Sequence, residues 1–336
     1  MNDFGECLER SFFERDVTNR AQWADFLDKK TLPTYLGCLL ALLPNLIDLK
    51  MNIEGPGGVP IKNARKTVFN GFIECLPNTG SCQQLRDLTI PYGYLRELSG
   101  QLPNLKALRL SHVEIEDVLE DVSTNVTLPH WKLKYFKVRL DSYGISFPEV
   151  TNALQWLSKS LGSLDIETLA IAWTEDDRSF PLFEFKTDYD ALFNLVIACW
   201  PGVNRLEVIP ALFKSVAPST SSVHSVTGLH DLSVPFAVLV DREFLAIDFQ
   251  LSDWSERALS SIARTFPKEL KTLTIQEADK NIVPWLECFF DLDDQLPDLI
   301  SIGVIRRISA RSEIKDTDIE RLQKMFEERK ICLTID

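Results

Sequence analysis

Histidine is the side chain that most often carries out acid–base chemistry or binds metals near neutral pH, and this chain contains four histidines. They are dispersed, at positions 112, 130, 224 and 230. The closest two, His224 and His230, are six residues apart and lack an acidic residue at a spacing typical of metal sites. Because a zinc site needs three or four grouped ligands, structural or surface roles are favoured and no metal is predicted.

Other motifs that could support catalysis or ion binding are incomplete. Asp176-Asp177 could form a pair of carboxylates for acid–base work, although a solvated loop is favoured. Asp291–Asp294 lacks the glycine and glutamate of a calcium loop, and Gly55–Gly58 lacks the Lys-Ser/Thr of a phosphate-binding loop. The chain has no Gly-x-Ser-x-Gly or Cys-x-x-Cys motif. The sequence therefore predicts no catalytic residues and no cofactor.

A repeated hydrophobic pattern defines the elements that would position any site. Leu85–Ile90 and, 20 residues later, Leu105–Leu110 both read Leu-x-x-Leu-x-aliphatic, and a related unit lies at Leu43–Met51. A short strand that returns in this form is typical of a leucine-rich repeat solenoid. Predicted strands begin at 46, 85, 105, 133, 166, 203, 229, 270 and 299. We therefore predict an α/β solenoid of about nine or ten irregular repeats, with parallel strands on a concave face and helices on a convex face.

The repeats are predicted to occupy residues 33–310. Residues 1–32, with an apolar stripe at Trp23, Phe26 and Leu27, are predicted to form a helical cap, because the open end of a solenoid must be covered. Residues 311–336 are predicted to form a C-terminal cap with a helix and a closing strand. Further predicted elements are helices at 66–76 and 253–266 and a strand at 244–249.

Alternation along the predicted strands assigns a set of side chains to the concave face. Its candidate binding residues are Lys50, Arg109, Tyr135, Lys137, Arg139 and Arg205. Arg109, Lys137 and Arg139 are expected to cluster on adjacent strands, with Arg205 farther along. A local basic patch in an acidic protein suggests recognition of an acidic segment or an anionic ligand, with a tyrosine as a possible anchor. The alternative is that these are ordinary solvated strand residues paired with neighbouring acids.

A second candidate site is aromatic and lies in loops near the strand ends. It consists of Trp131, Tyr143, Trp173, Phe180 and Phe183. Aromatic side chains gathered at the C-terminal edge of the strands could line a pocket for a small molecule or a reaction. They could equally be packing residues that hold long insertions in place. The two function classes are thus a non-catalytic protein-interaction module and, as the alternative, an enzyme or small-molecule-binding protein.

Composition and charge exclude several partners. The formal net charge is −13, from 36 basic and 49 acidic residues, which argues against binding to nucleic acids or to anionic membranes. The seven cysteines are scattered and mostly in apolar surroundings, which favours reduced thiols. No secretory signal is recognisable, and the apolar runs are about half the roughly 20 residues needed to cross a bilayer. A cytoplasmic or nuclear protein is predicted.

The repeats at Leu39–Leu49 and Gln101–Leu110 resemble the leucine-rich repeat proteins that are numerous in filamentous fungi, many of which carry an F-box. The resemblance implies a repeat architecture. Members with an F-box recruit targets to a ubiquitin ligase through an N-terminal module that begins with a Leu-Pro-x-Glu-like segment. Residues 1–35 contain no such segment, so ligase recruitment is not part of the prediction.

Overall fold

The computed structural model describes residues 43, 45–50, 81–97, 102–128, 130–141, 145–162, 165–173, 188–209, 223–240, 266–290, 296, 298–306 and 314–336. The chain forms two compact units. Unit 1 contains Met1–Asp141 and Trp156–Ser163, and unit 2 contains Ser142–Gln155 and Leu164–Asp336. Both units combine helices with parallel strands, which confirms the predicted α/β class.

Unit 1 holds four parallel strands that pair in the order in which they occur in the chain. They are β1 (Asp48–Lys50), β2 (Asp87–Pro91), β3 (Ala107–Glu114) and β4 (Tyr135–Asp141). Short 3₁₀ turns at Ser81–Gln84 and Tyr92–Glu97 flank β2, and helix α1 (Ile115–Thr124) follows β3. Helix α2 (Phe147–Ser160) contributes residues to both units.

Unit 2 holds six parallel strands, again paired in chain order. They are β5 (Thr168–Trp173), β6 (Arg205–Ile209), β7 (Asp231–Pro235), β8 (Thr272–Ala278), β9 (Ser301–Arg306) and β10 (Cys332–Ile335). The helices are α3 (Tyr189–Cys199), α4 (Phe236–Leu239), α5 (Ile282–Phe290) and α6 (Asp316–Glu328), with a 3₁₀ turn at Val223–Ser225. Sequential parallel pairing requires a crossover between each strand and the next, which is the order that the repeated pattern predicts.

The strands β1 to β9 each begin two residues later than predicted. Seven of these starts, at β2 to β4 and β6 to β9, share one hydrogen-bond arrangement: at β3, the N–H groups of Lys106 and Ala107 both donate to the carbonyl of Arg86, at 2.8 and 2.9 Å. The same sharing of one carbonyl by two successive amides occurs at Ile47, Lys106, Glu167, Asn204, His230 and Lys271. The first apolar residue of each pattern precedes the strand, and at β2 to β9 it packs in the core, as Leu85 and Leu105 do at 1% exposure.

Side chains alternate between a buried and an open face. In β4, Phe136, Val138 and Leu140 are buried, whereas Tyr135, Lys137 and Arg139 are partly exposed. Parallel sheets usually have both faces covered, so their strands read as continuous hydrophobic runs. In β2, β3 and β4 the alternation of polar and apolar residues instead matches a sheet with one accessible face.

Helix α1 has no counterpart among the predicted elements. It buries Ile115 and Val118 and ends at Asn125, whose φ of 52° is a left-handed helix cap. Its acid Asp121 is fully buried and accepts a hydrogen bond from the hydroxyl of Tyr92, which is also fully buried. This bond ties the turn after β2 to the helix after β3.

The start and end of α2 are both specified by local chemistry. The backbone N–H and the hydroxyl of Ser146 donate to Oε2 of Glu149, at 2.8 and 2.6 Å, so this carboxylate caps the start of the helix as the glutamate of a capping box does. The hydroxyl bond, followed by the backbone bond, lowers the pKa of Glu149. The Glu149 N–H donates to the Ser146 backbone carbonyl at 3.1 Å. After the helix, Gly162 has a φ of 65°, and a Cβ there would lie 2.7 Å from Nδ1 of His130. The positive φ therefore favours glycine at this position, and any larger residue would also require the exposed His130 side chain to move.

Several predicted elements lie outside the described residues. These are the N-terminal cap at 1–32, the helix at 66–76, the strand at 244–249 and, apart from its last residue, the helix at 253–266. The C-terminal segment at 311–336 contains α6 and β10. There Arg329 places its guanidinium carbon 3.7 Å from the centroid of the Phe290 ring and so joins α6 to the end of α5.

Candidate binding surface

The strand register of unit 1 sorts the open face into two rows that run across the strands. The first, the acidic row, contains Asp48, Asp87, Ala107 and Tyr135, one residue from each strand. The second, the basic row, lies two residues further along and contains Lys50, Thr89, Arg109 and Lys137. The charge therefore changes sign between Asp48 and Lys50 along β1, whereas every charged residue of the basic row is a cation.

These rows line a depression of about 530 Å³. Its walls include both rows except Ala107, together with Leu110, Ser111, His112 and Arg139. Four lysine or arginine side chains face two carboxylates there, although the chain as a whole carries a formal net charge of −13. Five of the six predicted concave-face residues, Lys50, Arg109, Tyr135, Lys137 and Arg139, thus lie around one depression.

Arg109 is held by two neighbours. Its Nη1 donates to Oδ1 of Asp87 at 3.2 Å, and its guanidinium carbon lies 4.7 Å from the centroid of the Tyr135 ring. Both charged side chains of the ion pair are 37% exposed, so water screens the pair and its net stabilisation is small. The contacts fix the orientation of the guanidinium more than they stabilise the fold.

Three other cations are not engaged in this way. Lys50, Lys137 and Arg139 make no side-chain hydrogen bond or ion pair with any residue that the structure describes. An unpaired cation on an accessible face retains its full capacity for a ligand carboxylate or phosphate. The depression therefore presents three cations ready to bind an anionic group, next to a fourth that is already oriented.

A β-bulge shapes one end of the depression. Between the pairs Leu110–Val138 and Val113–Leu140, two residues of β3, Ser111 and His112, oppose the single residue Arg139 of β4. His112 has a φ of 54°, in the left-handed region that few non-glycine residues adopt. The bulge places both Ser111 and His112 on the depression, although strict alternation assigns only one of them to this face. Neither residue was predicted, because no glycine in the sequence marks the bulge.

Arg205, the sixth predicted residue, belongs to unit 2 and lines a separate depression of about 200 Å³. The other polar residues there are Glu207, Asp231, Ser233, Thr272, Thr274 and Gln276. One cation and two carboxylates give this surface the opposite charge balance to that of unit 1. Unit 2 also repeats the bulge, since Gln276 and Glu277 of β8 oppose Ile305 of β9 and Glu277 has a φ of 52°.

The aromatic candidate site is described only in part. Trp131 and Trp173 are 5% and 3% exposed and are core residues of unit 1 and unit 2 respectively. Tyr143, Phe180 and Phe183 lie outside the described residues. The aromatic pocket therefore stays a prediction.

Among the described residues, no three His, Cys, Asp or Glu side chains are grouped closely enough to hold a metal ion. None of the described helices has the length and apolar character needed to cross a membrane.

No protein-family model matches this chain, and no curated protein matches its sequence.

Proposed function

We propose that this chain is a non-catalytic interaction module that binds an acidic segment of a protein partner on the open face of unit 1. The observation that carries the proposal is the set of three cations around one depression, Lys50, Lys137 and Arg139, that have no side-chain partner among the described residues. Because the chain is acidic overall, a cluster of this sign is a local departure that an acidic ligand would neutralise.

The chemistry of the depression supports binding more than catalysis. A general acid or base needs a reacting partner within hydrogen-bond reach and a nucleophile or electrophile beside it. The depression offers lysine, arginine, threonine and tyrosine side chains around an open sheet face, which are groups that hold anions and pack against a peptide. Ser111 and His112 also line it, but the Ser111 hydroxyl is buried without a hydrogen-bond partner among the described residues, so the two do not form a nucleophile–base pair. Tyr135, stacked beside Arg109, supplies an aromatic surface.

The leucine-rich repeat interpretation is part of this proposal. Sequential parallel strands, a repeated start geometry and one accessible face per unit support it. A cytoplasmic or nuclear location is also part of the proposal and rests on the scattered cysteines.

The proposal is tested by isolating tagged protein from its native cells in three forms: wild type, a site variant and a matched control. The site variant carries Lys50→Gln, Lys137→Gln and Arg139→Gln. The control carries Lys132→Gln, Lys280→Gln and Lys324→Gln, three exposed lysines away from the depression, and loses the same three charges. A stoichiometric protein partner should be retained by the wild type and the control and lost from the site variant.

Two results would contradict the proposal. Equal retention of the partner by the site variant and the control would locate binding elsewhere. Absence of any stoichiometric protein partner from all three forms would remove the interaction function itself. Circular dichroism spectra of the variants should match that of the wild type, because all six positions carry accessible side chains.

A further inference from the structure

We propose that the bound acidic segment is extended, crosses the strands of unit 1 over the basic row, and places two acidic side chains four residues apart. This inference rests on the proposed function and adds a direction and a spacing to it. It follows from the register of four strands and from the two cations at the ends of the basic row.

The direction follows from the order of charges. A segment lying along β1 would pass Asp48 and then Lys50, and one lying along β2 would pass Asp87 and then Thr89. A segment crossing the strands over the basic row passes Lys50, Thr89, Arg109 and Lys137 and meets no acid. A segment lying along β4 would pass Tyr135, Lys137 and Arg139 and then meet Asp141, and it would not reach Lys50. The crossing direction is the one that brings an acidic ligand to Lys50, Arg109 and Lys137 together with no acid between them, whereas like charges brought together oppose binding.

The spacing follows from sheet geometry. Neighbouring strands are about 4.8 Å apart, so Lys50 on β1 and Lys137 on β4 are separated by three spacings, or about 14 Å. In an extended chain each residue advances about 3.3 Å, and alternate side chains point to the same side. Residues i and i+4 therefore point to the same side at a separation of about 13 Å, which matches the two ends of the row.

The two lysines at the ends of the basic row are also the cations of that row that an acidic ligand can pair with. Arg109, between them, already donates to Asp87 and stacks on Tyr135, whereas Lys50 and Lys137 have no partner among the described residues. A shift of the segment onto the acidic row would place its two acids over Asp48 and Tyr135, so one acid would be repelled by Asp48 and neither would meet a lysine. The acidic row thus opposes displacement of the segment in that direction.

The experiment uses the full chain and three fluorescent Gly/Ser peptides with amidated C-termini. Each peptide contains two glutamates, at positions i and i+2, i and i+4, or i and i+6, which are separations of two, four and six. Affinity is measured by fluorescence anisotropy at low ionic strength, up to millimolar protein, because exposed ion pairs are weakened by salt. The peptide with a separation of four should bind the wild type about fivefold more tightly than the other two, the effect of one additional exposed ion pair. Lys50→Gln and Lys137→Gln should each abolish this advantage, and Lys280→Gln should preserve it.

The outcomes separate this inference from the proposed function. Equal affinity for the three peptides, or a preference for a separation of two or six, would overturn the spacing. If that binding is still lost in the Lys50→Gln, Lys137→Gln, Arg139→Gln variant, the proposed function stands without the spacing. Binding that is unchanged in this triple variant, or no binding of any peptide, would overturn both.

Discussion

Arg109 and Tyr135 lie on adjacent strands of unit 1, with the guanidinium carbon of the arginine 4.7 Å from the centroid of the tyrosine ring. The same guanidinium donates to Asp87 on the strand at its other side. One cation thus spans three strands and is fixed from both sides. Lys50, Lys137 and Arg139 remain available around it, so the face combines an oriented group with three that can adapt to a ligand.

Asp87 competes with any acidic ligand for Arg109. We expect Asp87→Asn to increase the affinity for the glutamate peptide with a separation of four by about two- to fivefold, because the substitution removes a negative charge and releases the guanidinium. The anisotropy titration measures the change. Asp298→Asn, which alters an exposed acid away from the depression, is the matched control and should have little effect. A lower affinity for Asp87→Asn would mean that orientation of Arg109 by Asp87 matters more than the competition.

The buried hydrogen bond between Tyr92 and Asp121 should contribute to stability. Tyr92→Phe keeps the ring and removes the donor, which leaves the fully buried carboxylate with one partner fewer. We expect the free energy of unfolding to fall by about 1 to 3 kcal/mol, measured by urea denaturation. In the Asp121→Asn background the effect of Tyr92→Phe should be smaller, since the carboxyl group that accepts the tyrosine hydroxyl has been replaced by an amide. Equal effects in the two backgrounds would contradict a direct interaction.

The strands were predictable because the same sequence motif recurs at each of them. Leu-x-x-Leu-x-aliphatic identifies the chain segment, and alternation identifies which side chains share a face. The offset of two residues was not predictable from hydrophobicity, because at β2 to β9 the first apolar residue of the pattern is buried like those within the strand. At β2 to β4 and β6 to β9 its position outside the strand accompanies two backbone amides that share a carbonyl.

Helix α1 shows what a search for repeats overlooks. Ile115, Val118, Leu119 and Val122 have the spacing of an amphipathic helix, so the signal was present in the sequence. The grouping of Lys50, Arg109, Tyr135, Lys137 and Arg139 could be predicted from strand alternation. The position of Arg205 farther along the strands was also predictable, whereas its assignment to a second unit was not, because the division into two units leaves no mark in the repeated pattern.

The left-handed backbone conformation of His112 restricts this position to residues that tolerate a positive φ. Asparagine adopts such a φ readily, whereas a β-branched residue is strongly disfavoured. We expect His112→Val to lower the free energy of unfolding by about 1 to 2 kcal/mol more than His112→Asn does. Both substitutions remove the imidazole, so the difference isolates the backbone effect. Urea denaturation of the two variants measures it, and equal stability would show that the bulge can relax.

The hydrogen bonds from Ser146 to Glu149 at the start of α2 should make part of the free energy of unfolding depend on pH. The Ser146 hydroxyl and backbone N–H bind the charged form of Glu149 and lower its pKa from an ordinary value of 4.5. A carboxyl whose pKa is lower in the folded state stabilises the protein fully above its unfolded pKa, and this contribution is lost as the pH falls through the folded value. We therefore expect the stability difference between wild type and Glu149→Gln to be largest near neutral pH and to shrink in acid. Urea denaturation of wild type and Glu149→Gln at neutral pH and at acidic pH tests this. Adding Ser146→Ala to Glu149→Gln should cause no further pH-dependent change, because the hydroxyl then has no ionisable acceptor; a persisting pH dependence would assign the effect to another carboxyl.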